Sequence, residues 1–406
     1  MSPSQEIQNL KKHDSLEEAI LSLICLSNKK NELKSSYKGG FSDSFVEKLP
    51  PSTRLRYDRY DVDLSEGYPA RPLTEEIPVF LDEAVAIRNE ELPYIERAKI
   101  ADPDKKALLG SAKDVIHLTK HIGTEIVGLQ LKDLTDQQKD ELALLIAERV
   151  VVFFRNQDLS PQKQYELGSY WGNVEKHAQA AHVPGIRGIT VIWPDFQLKQ
   201  GLNANFKNPA GGWHTDLTHE LQTPGITHLH NDAIPKVGGD TAWASGYAAY
   251  DKLSPAFQKF LEGKDGVYIS AHEYIDRNDP LKGRKRIERE HPIIRTNPAT
   301  GWKSLFVNRS MTRRIVGLEP EESKVILEYL FGIFEKNLDI QVRFKWQPTE
   351  EGLGTSALWD NRVSQHFAIW DYEAKEPRHG TRVSSLAEIP YFDPSSKSQR
   401  ESLGLD

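Results

Sequence analysis

Ile340, Val342, Phe344 and Trp346 alternate with Gln341, Arg343 and Lys345, and this period of two predicts a half-buried antiparallel strand. Further strands are expected at Gly188 to Trp193, Gly225 to His230, Gly266 to Ser270, Ile293 to Arg295, Ser304 to Val307 and Ala357 to Trp359. Turn formers from Asn297 to Gly301 predict a hairpin between two of them. Helical periodicity is concentrated earlier. Thr135 and Gln138 stand in capping-box spacing ahead of Leu142, Leu144, Leu145 and Ile146, and the pattern then passes into Val150 to Phe154, an apolar run expected to be a buried strand. Helices are also predicted to open at Ser160-Pro161 and Ser254-Pro255, because proline loses nothing where the backbone N–H is unpaired anyway. Many short strands with helices mainly at one end suggest a mainly β sandwich or jelly-roll barrel with flanking helices. The first hundred or so residues lack this patterning apart from an amphipathic stretch at Leu16 to Leu26. Residues 1–110 are therefore read as an irregular N-terminal extension and 111–406 as the main folded domain.

Composition narrows the class. The 406 residues are 38% apolar, enough for a substantial core, and the single cysteine, Cys25, excludes an internal disulfide framework or a Cys-rich metal site. No stretch has the apolar length of a membrane span, so no membrane association is expected and the cytoplasm is the expected compartment. A net charge of −7 gives no basic field for nucleic acid, and the basic cluster Lys282, Arg284, Lys285, Arg286 and Arg289 is interleaved with Glu288 and Glu290, the mark of a solvated loop. The charged segment Asp276 to Glu290, with Pro280 and Gly283, is expected to be such a loop, with a lid over substrate as the functional alternative.

The chemistry lies among the 13 histidines. In H-x-D on a strand, both side chains point to one face and can ligate one metal. About two H-x-[DE] matches are expected by chance in such a chain, so spacing alone decides little. One candidate is His228, His230 and Asp232, resembling a metallo-β-lactamase-type hydrolase cluster, but Ala233 stands where that motif continues with His. The other is His214-Thr215-Asp216, after Gly211-Gly212-Trp213, where two glycines permit close backbone packing. A distant Trp359-Asp360-Asn361-Arg362-Val363-Ser364-Gln365-His366 stretch would supply a third ligand, completing two histidines and one carboxylate on one face of an octahedral metal.

With Val151-Val152-Phe153-Phe154-Arg155-Asn156-Gln157, Gly238-Gly239-Asp240-Thr241 and Phe306-Val307-Asn308-Arg309, these boxes resemble the taurine dioxygenase and 2,4-dichlorophenoxyacetate dioxygenase family of 2-oxoglutarate-dependent oxygenases, particularly the fungal sulfonate dioxygenases. The resemblance runs from about Gly123 to Val383. It implies a double-stranded β-helix (jelly roll), with His214, Asp216 and His366 as ligands of Fe(II). It further implies that Arg378 and Thr241 hold the C5 carboxylate of the cosubstrate 2-oxoglutarate, and that His177 and Arg382 hold the anionic group of a small-molecule substrate. A planar guanidinium suits that carboxylate, against the alternative of Arg378 as a surface ion-pair residue beside Glu376. Ala180 and Ala210 stand where the taurine enzyme has Tyr and Asn, so a wider pocket less tailored to taurine is expected. Trp213 and Trp359 would wall the site or simply pack the core, and Asp360, Asn361 and Arg362 would fix a turn.

The expected reaction consumes O2 and 2-oxoglutarate, with ascorbate as activator, and hydroxylates the carbon next to the heteroatom of an alkylsulfonate, releasing an aldehyde and sulfite. A sulfate ester or an aryloxyacetate is the alternative substrate. A homo-oligomer without nucleic-acid or membrane partners is expected. The readings from other classes are the hydrolase on His228, His230 and Asp232, and a catalytically inactive anion-binding jelly roll.

Overall fold

The computed structural model describes residues 45–73, 76–194, 212–347, 350–372 and 375–405. The Leu16 to Leu26 stretch with Cys25, and Ala210 with Gly211, lie outside the described residues. The architecture is mainly β with several helices. The larger sheet runs in the order β1 (Asp114–His117), β2 (Thr124–Val127), β3 (Val151–Gln157), β14 (Gly354–Asp360), β6 (Pro224–Ala233), β16 (His379–Leu386), β5 (Ile186–Ile192) and β4 (His182–Val183). Its neighbours are antiparallel except the pair β2 and β3. A smaller sheet has β7 (Thr241–Ser245) between β13 (Gln341–Phe344) and β15 (Ser364–Ala368).

The inner face of the larger sheet presents Val151, Phe153, Leu229, Ala357 and Trp359 to Trp243, Val342 and Phe344 of the smaller one. Phe153 stacks on Phe344 at 3.8 Å between ring centroids and meets Trp243 edge-on at 5.3 Å. Deleting such a fully buried ring costs about 3–5 kcal/mol, so Phe153 is one anchor of the two-sheet core. The predicted alternation holds in β13 and beyond it: Ile340, Val342, Phe344 and Trp346 are buried while Arg343 and Lys345 are exposed.

On the outer face, α3 (Asp136–Arg149) covers Val152, Phe154 and Leu358 with Leu142, Leu145 and Ile146. The Thr135–Gln138 capping box closes as expected, with the Gln138 N–H donating to Thr135 Oγ1 at 3.3 Å. The helix ends at Val150, whose φ of 71° turns the chain straight into β3. Ser160 caps α4 (Pro161–Trp171) and Ser254 caps α5 (Pro255–Leu261), both with proline in the first turn. The predicted hairpin at Asn297 to Gly301 joins β10 (Ile294–Thr296) to β11 (Lys303–Leu305).

Two expectations change. The segment 276–290 is not one long loop, because its second half is β9 (Arg284–Pro292), paired antiparallel with β8 (Asp265–Ile275). Local ion pairs disguise the strand: Lys285 binds Asp276 at 2.7 Å and Arg286 binds Glu273 at 3.3 Å, while Ile287 is buried. Residues 45–110 also contain regular structure. α1 (Pro51–Arg59) and α2 (Leu81–Arg88) belong to them, and Phe45, Leu49, Tyr57 and Tyr68 pack against Val183, Ile189, Val191, Trp193 and Val383 of the larger sheet. Among the described residues, no helix is long and apolar enough to cross a membrane.

Candidate active site

His214 and His366 face each other across an isolated antiparallel bridge to β15, exchanging backbone hydrogen bonds at 3.1 and 2.8 Å. That bridge brings a loop residue and a strand residue 152 positions apart to a ring separation of 4.2 Å. Gly212 allows the approach: a Cβ there would lie 2.3 Å from the Phe367 ring. Its carbonyl accepts a hydrogen bond from His214 Nδ1 at 2.7 Å, which assigns the proton to Nδ1 and leaves the Nε2 lone pair open. Asp216 lies 3.7 Å from His214 Nε2 and 3.8 Å from His366 Nε2, and one donor atom from each of the three residues falls within 4.8 Å of the others.

The electrostatics prepare a metal site. Burial pushes the His366 imidazole down to about 3, with the neighbouring His214 adding to the effect, so the ring is neutral and carries a lone pair. Burial alone would raise the Asp216 carboxyl, but Arg382 and then the two histidines outweigh it and hold the group at about 2. Two imidazoles and one carboxylate on one side fit a divalent iron with open positions opposite. A tight three-ligand face would bring donors to about 3 Å apart, so the set needs only a small contraction.

The W-D-N-R turn supports the ligands. The Asn361 amide oxygen accepts from the Asp216 N–H at 3.4 Å and from Trp359 Nε1 at 3.2 Å. Thr215 Oγ1 donates to the Ser364 carbonyl at 2.7 Å. Arg362 is clamped by Asp360, Glu96 and Glu388. Trp359 packs on His366 at 4.9 Å and on Trp243 at 5.8 Å, so it serves site and core together, whereas Trp213 packs on Phe367.

A second polar group assembles beside the metal ligands. Gly238 and Gly239 both have positive φ, 82° and 70°, and their turn delivers Asp240 and Thr241 into β7. Thr241 Oγ1 accepts from Trp346 Nε1 at 3.0 Å and from Arg378 Nη2 at 3.2 Å, so its own hydrogen is free to donate elsewhere. Arg378 is buried, makes no ion pair among the described residues, and its Nε has no hydrogen-bond partner. Burial lowers its pKa, opposed by Tyr372. The surface ion pair with Glu376 is not formed: Glu376 accepts instead from the Lys236 N–H at 2.6 Å. Asp240 adds to the opposition by Tyr372 from beyond ion-pair contact, and a buried guanidinium with no carboxylate in direct contact is suited to an anion.

Arg382 reaches both Asp216 oxygens at 3.0 and 3.1 Å. His177 Nδ1 accepts from the Gln179 N–H at 3.0 Å, which leaves Nε2–H as a donor. Burial and then His272, 5.0 Å away ring to ring, push the His177 pKa well down, and Arg88 and Arg382 contribute further. A cavity of about 490 Å³ beside this cluster is lined by Arg88, Glu175, Glu220 and Tyr274, but by none of the three candidate ligands.

The rival cluster is assembled differently. His228 Nε2 and His230 Nδ1 share Ser356 Oγ at 2.9 and 3.0 Å, while Asp232 is bound to Arg56, Thr53 and His379. Its carboxylate is thus occupied, and His214, Asp216 and His366 are the set that converges among the described residues. Sequence reasoning missed Trp346 as the second donor to Thr241, although its place at the end of the alternating strand pattern marked it as inward-facing. It also missed Arg88, Glu175 and His272, which no local pattern signals.

A mainly β core in which two histidines and an aspartate converge near a buried arginine that makes no ion pair among the described residues offers places for a metal and for an acidic ligand. Residues 114–384 match the model of the taurine catabolism dioxygenase TauD, TfdA family, and the chain belongs to that family. It is similar to an alpha-ketoglutarate-dependent sulfonate dioxygenase of Saccharomyces cerevisiae, 37% identical over 284 residues, 68% of this chain and 67% of that protein. An alkylsulfatase of Acinetobacter baylyi is 31% identical over 67% of this chain and 84% of its own. The crystal structure of a taurine dioxygenase from Burkholderia xenovorans superposes with a TM-score of 0.59 at 30% identity, covering 70% of this chain and 92% of that one. The chain is therefore an oxidoreductase of the 2-oxoglutarate-dependent dioxygenase class, which implies Fe(II), 2-oxoglutarate and O2.

Proposed function

We propose that this dioxygenase hydroxylates the carbon next to the sulfur of an alkylsulfonate, so that the product collapses to an aldehyde and sulfite. In this reading the two packed sheets form a double-stranded β-helix, and residues 111–406 are the dioxygenase domain. His214 Nε2, Asp216 and His366 Nε2 hold the iron, which when loaded with 2-oxoglutarate and O2 supplies the oxidising power, giving succinate and CO2. Arg378 and the free hydroxyl hydrogen of Thr241 bind the far carboxylate of 2-oxoglutarate. His177, donating from Nε2, and Arg382 hold the sulfonate, which fixes the C–H bond presented for attack. Trp359 against His366 keeps water from one side of the ligand set.

The observation that carries the reading is the pairing of the converged His214, Asp216 and His366 with a buried Arg378 that makes no ion pair among the described residues. A sulfate ester is the second substrate class, favoured by the likeness to the alkylsulfatase, since the same C–H hydroxylation would release sulfate. The test is a succinate-release screen of alkylsulfonates, sulfate esters and aryloxyacetates with Fe(II), 2-oxoglutarate and ascorbate. Sulfite from the first class supports the proposal; turnover confined to another class rejects it. Asp216→Ala should abolish substrate-dependent succinate, and retention of turnover would remove the assigned site.

A further inference from the structure

Asp232 is an extra residue on β6: His379 pairs with Ala233 and Gly380 with Asn231, so the ladder skips it. The bulge aims its carboxylate at the N-terminal helix. Oδ1 accepts from Thr53 Oγ1 and from His379 Nδ1, both at 2.7 Å, and Oδ2 accepts from Arg56 Nη1 at 2.8 Å. Nδ1 of His379 must donate, because a carboxylate only accepts. The other ring nitrogen of His379 meets Tyr68 OH at 2.6 Å, and Tyr68 OH meets Tyr57 OH at 2.8 Å. Arg56 is held further by the Leu159 carbonyl at 2.8 Å and Thr381 Oγ1 at 3.1 Å. Thr53, Arg56, Tyr57, Tyr68, Asp232 and His379 are all buried.

His379 follows Arg378 directly. Where the strand β16 begins, successive side chains leave opposite faces, so locking the His379 ring fixes the backbone from which Arg378 reaches Thr241. The clasp comes from residues 53–68, which precede the family-matched region 114–384. We infer that the Tyr57–Tyr68–His379–Asp232 network, with Arg56, positions Arg378 and thereby sets the affinity for 2-oxoglutarate, making the N-terminal segment part of the cosubstrate site. The inference rests on the assignment of Arg378 to the 2-oxoglutarate carboxylate.

Arg56 and Asp232 are poor probes, because removing either leaves a buried charge unpaired and endangers folding. Tyr68→Phe keeps the ring and deletes only the hydroxyl. Tyr247→Phe is the control, since its buried hydroxyl bonds the Ala147 carbonyl and Thr300, with no link to β16. Anaerobic calorimetry on Fe(II)-loaded full-length protein gives the Kd of 2-oxoglutarate, and of pentanesulfonate at saturating 2-oxoglutarate. Tyr68→Phe should raise the former about three- to tenfold, as for one lost hydrogen bond, leave the latter within about twofold, and Tyr247→Phe should change neither. An unchanged 2-oxoglutarate Kd in Tyr68→Phe, or an equal rise in Tyr247→Phe, overturns the inference. Arg378→Met separates the two claims: if it leaves the Kd unchanged, the clamp assignment fails and the inference with it, whereas a rise there with no effect of Tyr68→Phe removes the inference alone.

Discussion

Arg378→Met tests the assignment of the cosubstrate pocket through two opposed effects. The guanidinium has five N–H donors. In the protein it donates to Thr241, interacts with Tyr372 and feels the Asp240 carboxylate without an ion-pair contact, and its buried Nε has no partner. Without ligand the cation is therefore poorly compensated, and replacing it by an apolar side chain of similar length should leave stability unchanged or raise it by about 1–2 kcal/mol. With 2-oxoglutarate bound, two charge-assisted hydrogen bonds disappear, at about 1.5–3 kcal/mol each. Allowing for Thr241 as a surviving donor, the loss is roughly 3–4 kcal/mol, which is about 10²–10³-fold in the KM for 2-oxoglutarate.

Arg362 supplies the contrast within the same molecule. It is equally buried but sits among Asp360, Glu96 and Glu388, so Arg362→Met should destabilise by about 3–5 kcal/mol by stranding those acids. Thermal midpoints of both variants, with succinate-release kinetics of Arg378→Met over a range of 2-oxoglutarate, decide the matter. An Arg378→Met protein that unfolds like Arg362→Met and keeps its KM would refute the reasoning.

Acid should weaken the fold earlier than carboxylate titration requires. Burial pushes His228 down to about 3 and His291 to about 4, and His230 well below its ordinary 6.5, so the unfolded chain takes up protons that the folded one refuses; stability falls as pH drops through 6.5, by at most about 1.4 kcal/mol per pH unit for each ring. Glu175 acts oppositely: burial raises it from 4.5 to about 7, so its contribution is fully present below 4.5 and lost as pH rises through 7, and Glu175→Gln should steepen the acid limb in urea midpoints measured from pH 7 to 5. Gly212→Ala should impair metal binding more than core stability, because its Cβ would force Phe367 away from the His214–His366 bridge; Mn(II) affinity by calorimetry and the thermal midpoint distinguish the two effects.

Local patterning in the sequence exposed those features whose cause is local. The capping box at Thr135, the proline-started helices, the Asn297 hairpin and the alternation through Val342 depend on neighbours a few residues away, and all are present. The i and i+2 spacing of His214 and Asp216 was legible too, although the pair lies not on a strand but on a loop bridged to β15 at His214. Strand β9 was hidden because its charges pair across the hairpin, a relation between residues about ten apart that reads as a solvated run. The role of residues 53–68 was hidden more deeply. Nothing near Arg56 announces that its partner is Asp232, 176 positions away, and a polar helix with buried Thr53, Arg56 and Tyr57 looks like an exposed one until the opposing bulge is known. The family resemblance, not spacing, singled out Arg378. The structure added that Arg378 is buried and makes no ion pair among the described residues, which suits the role proposed for it.

Arg382 carries a last consequence. It donates to both oxygens of Asp216, so the guanidinium assigned to the substrate anion is shared with a carboxylate assigned to the metal. A divalent cation on Asp216 would supply the positive charge that Arg382 now provides, and would free donors of that side chain for the sulfonate. The two ligands are then coupled, and by linkage each must strengthen the other. With coupling of about 1–3 kcal/mol, pentanesulfonate should bind about 5- to 150-fold more tightly to the Mn(II)-loaded protein than to the metal-free one. In Arg382→Gln this difference should largely vanish while Mn(II) affinity itself rises, since a competing cation has left the carboxylate. Calorimetry of both proteins with and without Mn(II) measures all four affinities. Equal pentanesulfonate binding by the loaded and metal-free wild-type protein would show that Arg382 is not shared between the metal carboxylate and the substrate.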